Sequence, residues 1–339
     1  FLEGLERSGA LIDTIKSILA RYQIPERVAY LPHVESSFDP YAYSRVGAAG
    51  LWQFMRSTGK KYLTIDYTVD QRRDPFLATE AAAQFLKSIY DDLGAWPLAI
   101  TAYNHGPNGI KRAVRVTGSR DISVILQNYQ SRSFLFASRN FYGCFLAASD
   151  IAMNPYSHFT TIQFHPRLLV HDVVMTHYVP AVTVSAALGM SPEEFLRLNP
   201  ALRPVVFEQN RQIPKGYAVR IPLALPMVVA AQALAAIPDS MRSDSSVRLQ
   251  YYEVKRGESL ASIAKALQVE IADLAAENKI TRSHLLRAGQ VLRVPGIKRP
   301  ATAPLPMPPD SAKRVTTEVG RLAQRPASTS TRLVNDSLR

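Results

Sequence analysis

Two distant stretches of the chain line up with each other. LGMSPEEFLRLNP at 188–200 matches LQVEIADLAAENK at 267–279, and KGYAVRIP at 215–222 matches AGQVLRVP at 288–295. The first pair is offset by 79 residues and the second by 73, so the first copy carries six extra residues between Asn199 and Gly216. Each copy reads strand, helix, helix, strand, and the shared Asn, Gly and closing Pro argue against coincidence. A small α+β unit used twice therefore constrains everything beyond the first half. The copies are expected at 161–225 and 249–296, joined by a linker at 226–248 that opens with a short apolar helix.

The first half follows a different period. ALIDTIKSILARY sets Leu11, Ile15, Ile18 and Leu19 on one helical face, and FLATEAAAQFLKSIYDDLG ends at Gly94, a C-cap residue. PLAITAY opens on Pro97, suited to a first turn, and FLFASRNFYGCFLAASDIAM is a long apolar helix closed by Asn154-Pro155. Residues 1–160 thus read as an all-α domain of about seven or eight helices of ordinary length. TTIQF and HDVVMTHYV, just beyond, alternate as strands do. Residues 297–339 turn to Pro, Ala, Ser, Thr and Arg without periodicity and read as a disordered, basic tail.

The net charge of +12 is unevenly placed. Residues 1–160 hold 17 basic and 14 acidic side chains, and residues 161–339 hold 23 and 14. An anionic partner such as nucleic acid, a membrane surface or an acidic polymer would suit that excess, and so would a merely solvated basic tail. No nucleic-acid motif and no basic-aromatic stripe is present, which argues against nucleic acid. The single cysteine, Cys144, excludes an intrachain disulfide and a Cys-based metal site, and its apolar surroundings suggest a buried thiol. The seven histidines show no metal spacing. His171 and His177 would share a strand face but lack a third ligand, so no metal and no cofactor is expected. No apolar run reaches the length of a membrane span, so a membrane anchor, if there is one, would lie upstream of Phe1.

The stretch PHVESSFDPYAYSRVGAAGLWQF, residues 32–54, isolates one carboxylate, Glu35. PERVAYLPHVESSF is helical in pattern, and Pro32 should break it just ahead of Glu35. DPYAYSRVGAAG is then a loop, and LWQFMRSTGKKYL resumes a helix carrying Trp52, Gln53, Phe54 and Met55. A glutamate enclosed by apolar groups would have a raised pKa and could serve as a general acid. Helical glutamates are also commonly solvated or paired, and these residues alone leave both readings open. Asp39, in FDPYAY, suits a turn, and Asp74 with Glu80 suits a helix start.

ESSFDPYAYSRVGAAGLWQFM, with AYNHGPNGI at 102–110, resembles the catalytic domain of the soluble-lytic-transglycosylase family over roughly residues 10–155. YYEVKRGESLASIAKALQVEIADLAAENK with LLRAGQVLRVP is similar to a LysM module, and the earlier copy resembles a degenerate one with VPAVTVSAA in place of the usual opening. The resemblance implies a lysozyme-like fold, cleavage of peptidoglycan glycan strands, and N-acetylglucosamine binding by LysM. It implies that Glu35 acts alone, first as acid and then as base, forming a 1,6-anhydro ring on N-acetylmuramic acid. Ser44, Gln53, Met55, Tyr103 and Asn104 would contact the sugar, and Trp52 offers either a stacking face or a core side chain. Arg56 stands where relatives commonly have Pro, and His105 where Ala is usual. Two alternatives remain: a hydrolase of goose-type lysozyme character, with Asp39 holding a water, or a wall-binding protein without activity. The substrate would put the protein in the periplasm or at the outer membrane.

Overall fold

The computed structural model describes residues 1–294 apart from 67, 209–210, 245–250, 268–270 and 282–283. The tail expected at 297–339 lies outside the described residues. Those described form two compact units, one of 1–169 with 199–203, the other of 170–198 with 204–294.

The first unit is helical. Among its described residues run α1 (Leu2–Ser8), α2 (Ile12–Arg21), α3 (Pro32–Glu35), α4 (Arg56–Gly59), α5 (Pro75–Leu93), α6 (Trp96–His105), α7 (Pro107–Thr117), α8 (Ile122–Asn128) and α9 (Phe136–Met153). That is slightly more than the sequence suggests, because α3 and α4 are single turns. Local chemistry sets the ends. Asp74 caps α5 by accepting the Phe76 and Leu77 N–H groups at 2.9 and 3.0 Å, and Gly94 closes it at φ +71°. Glu80 takes no part in that cap; it pairs with Arg21. The face of α2 that carries Ile15 and Leu19 packs on α5 around Trp52, Phe38, Leu51 and Leu86, all fully buried. TTIQF forms no strand. Its neighbourhood runs along the end of α1 instead, where Gln163 and His165 N–H groups donate to Glu6 and the Leu168 N–H to Ala10.

Cys144 is exposed, contrary to the buried thiol expected. Helix α9 buries Phe141, Phe145, Ala148 and Ala152, and a residue three beyond Phe141 falls off the edge of that stripe.

His33, the residue two before Glu35, is buried with neither ring nitrogen hydrogen-bonded among the described residues. Its ring stacks on Phe1 at 4.9 Å and tilts against Phe38 at 4.4 Å. Burial, helped by positive charge that includes Arg7, holds its pKa down to about 3. An unfolded chain takes up that proton near pH 6.5 while the fold refuses it, so stability is lost as pH falls from 6.5 toward 3. The loss is roughly 1.4 kcal/mol per pH unit in that window. His33→Phe should flatten the acid limb of a melting-temperature profile between pH 7 and 4, leaving the neutral value nearly unchanged.

The second unit opens with β1 (Val170–Val174), β2 (Val179–Pro180), α10 (Ala181–Ala187), α11 (Pro192–Leu198), α12 (Val205–Glu208), β3 (Gln212–Ile213), β4 (Ala218–Pro222) and α13 (Met227–Ala235). It continues with β5 (Tyr251–Glu253), α14 (Leu260–Leu267), α15 (Ile271–Glu277) and β6 (Val291–Arg293). β1 pairs antiparallel with β4, β2 with β3, and β5 with β6. Both copies thus show the strand–helix–helix–strand order, and α12 and β3 occupy the interval where the first copy is longer.

The shared residues have physical reasons. Gly216 and Gly289 sit at φ +83° and +86° ahead of the closing strands. Asn278 ties α15 to β6, donating to the Leu274 and Arg293 carbonyls and accepting the Arg293 N–H, each at 2.7 Å. Residues 226–243 are more than a linker: α13 buries Ala230, Ile237 is buried, and Ser243 bridges Tyr178. His171 lies in β1 but His177 lies beyond it, beside Thr176 and Asp244, so the two do not share a strand.

Candidate active site

Glu35 is the last residue of α3, a single turn that opens on Pro32. The chain then reverses sharply: Ser37 and Phe38 both adopt left-handed φ, +52° and +57°, and Phe38 is driven into the core. The Ser36 hydroxyl donates to the Leu51 carbonyl at 2.8 Å, tying this turn to the next loop.

That loop, 42–54, is a compact meander rather than the start of a helix. Ala49 bridges both Tyr43 and Phe54, and Gln53 takes φ +47°, so the helix expected from Leu51 begins only at Arg56. Ser44 folds on itself, its N–H donating to the Ala48 carbonyl at 2.8 Å and its Oγ accepting the Ala48 N–H at 2.9 Å. The Ser44 hydroxyl proton is thereby left for another acceptor. Gln53 Nε2 donates to the Gly50 and Ala42 carbonyls at 2.9 and 3.3 Å, which leaves Oε1 as its outward group.

One buried cation braces the loop. Arg72, 1% exposed, makes a two-pronged bond to Asp70 at 2.9 and 2.7 Å. Its remaining nitrogen reaches the Gly47 and Phe54 carbonyls at 2.8 and 2.9 Å. Gly50, at φ +78°, passes so close that a Cβ would lie 1.7 Å from the Arg72 carbonyl oxygen. Nothing larger than glycine fits there.

Between this loop, α3, α6 and α9 lies a cavity of about 390 Å³. Glu35, Ser44, Gln53, Met55, Tyr103 and Asn104 all line it, so six of the seven residues expected from sequence meet in one place. Trp52 does not. It is fully buried, its indole N–H donating to Thr79 Oγ1 at 2.8 Å, and it is a core residue with no face for a sugar. Its backbone does contribute, since the Trp52 carbonyl accepts the Tyr103 hydroxyl at 2.8 Å. That bond holds the Tyr103 ring edge-on to Phe54 and tilted on Phe85, at 6.0 and 5.5 Å.

Apolar enclosure raises the pKa of Glu35 to about 8. No donor or cation among the described residues engages its carboxylate, and burial alone accounts for the shift. Tyr103 is pushed well above its ordinary value, by burial and then by the nearby Glu35. Near neutral pH the cavity therefore presents a protonated carboxyl, the hydroxyls of Ser44 and Thr58 and two side-chain amides. It presents no second carboxylate: every other cavity-lining residue is neutral. Asp39 is occupied in a turn, accepting the Tyr41 N–H at 2.8 Å. Among the described residues no three His, Cys, Asp or Glu side chains gather to hold a metal.

Sequence reasoning missed Arg72, Asp70 and Ser138. The paired Arg-Arg of QRRDP carries no local signal that one of the two is buried. Of the two departures from the family pattern, Arg56 starts α4 and reaches the Ile65 carbonyl, while His105 sits behind Asn104.

Residues 13–126 match the transglycosylase SLT domain family, and residues 252–295 match the LysM domain family. The chain is 30% identical to membrane-bound lytic murein transglycosylase D of Escherichia coli K12 over 284 residues, covering 80% of this chain and 60% of that protein. A putative tributyltin chloride resistance protein of an Alteromonas strain is 34% identical over 93 residues, 27% of this chain and 45% of that one. Among solved structures, the 70 kDa soluble lytic transglycosylase of Escherichia coli aligns with 22% identity and a TM-score of 0.35, over 46% of this chain and 26% of that one. The chain spans 60% of the length of the murein transglycosylase it matches.

Proposed function

We propose that this chain, which carries an SLT transglycosylase domain and a LysM domain, is a lytic transglycosylase of peptidoglycan. The observation that carries the reading is the lone carboxyl. Glycosidases that use water, or a protein nucleophile, commonly place a second carboxylate beside the acid. Here Glu35 has no such partner in the cavity, and its raised pKa supplies it protonated.

The step that one carboxyl can complete balances without water. Glu35 gives its proton to the glycosidic oxygen between N-acetylmuramic acid and N-acetylglucosamine, and the C1–O bond breaks. The N-acetyl carbonyl of the same sugar relieves the positive charge at C1. Its C6 hydroxyl then attacks C1, and Glu35, now a carboxylate, takes the hydroxyl proton. A 1,6-anhydro ring closes and Glu35 is protonated again. Ser44 and Asn104 offer hydrogen bonds to the sugar, Gln53 accepts one through Oε1, and Met55, 43% exposed, packs against the ring. Tyr103 walls the acid from water.

The module at 249–296 would hold N-acetylglucosamine on the strand being cut, and the degenerate copy at 161–225 would serve packing. The cell envelope is where such a substrate lies, outside the cytoplasmic membrane. No helix among the described residues is long and apolar enough to cross a membrane.

Mass spectrometry of sugars released from purified peptidoglycan tests the reading. Products one water lighter than reducing muropeptides are expected. Reducing ends would instead make the enzyme a hydrolase. Cosedimentation with the wall without release would make it a binding protein.

A further inference from the structure

We propose that Ser138 and His105 are positioning residues that fix the Asn104 amide with its NH2 toward the cavity, where it selects an acetamido carbonyl on the sugar. The inference rests on the glycan reading of the cavity, but its first test does not.

Ser138, in α9, stands behind Asn104. Its Oγ lies 3.2 Å from Asn104 Oδ1 and 3.2 Å from His105 Nδ1. A serine hydroxyl carries one proton, and with that proton kept among the three groups two arrangements are self-consistent. With a proton on His105 Nδ1, the ring donates to Ser138, Ser138 donates to Asn104 Oδ1, and the Asn104 NH2 is left facing the cavity. With Nδ1 bare, Ser138 donates to the ring, the Asn104 NH2 turns back to Ser138, and a carbonyl oxygen faces the cavity instead. One proton on a residue outside the cavity thus decides whether the rim offers a donor or an acceptor.

The structure favours the first arrangement. His105 is held in place from three sides, with Phe134 edge-on at 4.9 Å, Ser138 at Nδ1, and Gly109 of α7 beneath the other edge. A Cβ at Gly109 would come within 2.4 Å of the ring's Cδ2 and 2.6 Å of Nε2, so the glycine is what admits the imidazole. The ring is neutral at physiological pH, because burial and then the charge of Arg112 lower its pKa. Its single proton goes where a fixed acceptor waits, and Ser138 Oγ is that acceptor. An acetamido oxygen is the acceptor common to both sugars of the strand, whereas a rim oxygen would take any donor, the acetamido N–H or the hydroxyls that most hexoses share. This relay gives His105, the departure from the family pattern, a role.

The test begins on the free full-length chain. Nitrogen-15 NMR should show His105 in its Nδ1–H tautomer, and Ser138→Ala should shift the Asn104 side-chain NH2 resonances and release that tautomer. On peptidoglycan, Ser138→Ala and His105→Leu should raise KM about three- to ten-fold, the worth of one neutral hydrogen bond, with kcat little changed. His105→Asn, which keeps a donor near the Nδ1 position, and Ser138→Thr should restore KM. Adding Ser138→Ala to Asn104→Ala should cost nothing further. An Nε2–H tautomer, Asn104 resonances indifferent to Ser138, or a KM unmoved by either substitution would overturn the proposal. If NMR behaves as expected but no strand is cut, the relay stands and the transglycosylase reading is what fails.

Discussion

Glu35→Gln should lower the release of anhydro-sugars by about 10²- to 10⁴-fold, the range that general acid–base groups supply, while leaving the protein folded. Glutamine keeps the shape of the side chain and fills the same apolar niche without a proton to give. The wild-type profile carries a second signature of the same group. Glu35 acts first in its protonated form, so kcat/KM should be flat through neutrality and fall above a midpoint near 8. No other carboxylate lines the cavity to impose an acid limb through catalysis.

In the glutamine variant, stability must move the opposite way from activity. The folded chain holds the Glu35 proton up to about pH 8, whereas an unfolded chain releases it near 4.5. The native state therefore binds more protons across that window, and stability falls as pH rises through it. Replacing Glu35 by glutamine removes the penalty: the variant should melt above the wild type at pH 9 and together with it at pH 4. A variant both inactive and less stable at pH 9 would mean that Glu35 is a structural residue paired in solution.

How far the sequence alone leads depends on whether the cause is local. Pro32 announces the start of α3, and Asp74 and Gly94 announce both ends of α5. Glu35, Ser44, Gln53, Tyr103 and Asn104 were placed by ordered motifs, and the fold brings them to one cavity. The helix expected over 51–55 failed because its apolar pattern is equally that of a meander whose turns are fixed from outside, by Arg72 and by Gly50. Trp52 looked usable as a sugar platform for the same reason. Its burial depends on Thr79 in another helix, which no window around residue 52 contains. Cys144 misled through composition: an apolar helix still has an exposed edge. The relay through Ser138 joins residues 34 apart and needs the packing of α6 on α9 to exist at all.

The other large effect belongs to Arg72, which touches no substrate. Arg72→Met should destabilise the first unit by about 3–5 kcal/mol, because it leaves a buried charge without its partner. Asp70 is 5% exposed and would keep its carboxylate facing a hydrocarbon chain, while the Gly47 and Phe54 carbonyls lose their donors. Lysine should rescue little of this. Its single ammonium cannot span two carboxylate oxygens on one side and two carbonyls on the other, a task that needs the planar fork of arginine. Asp70→Leu placed on top of Arg72→Met should recover part of the loss, since no lone charge then remains buried, but not the donors to the two carbonyls.

Urea unfolding of the four proteins separates these contributions, and activity measured well below the transition adds the functional consequence. The Gly47 and Phe54 carbonyls belong to the loop, 42–54, that presents Ser44 and Gln53, so the double variant should regain stability faster than it regains kcat/KM. If instead activity returned in step with stability, the loop would hold its shape without the guanidinium. Arg72 would then be a stabilising ion pair and nothing more.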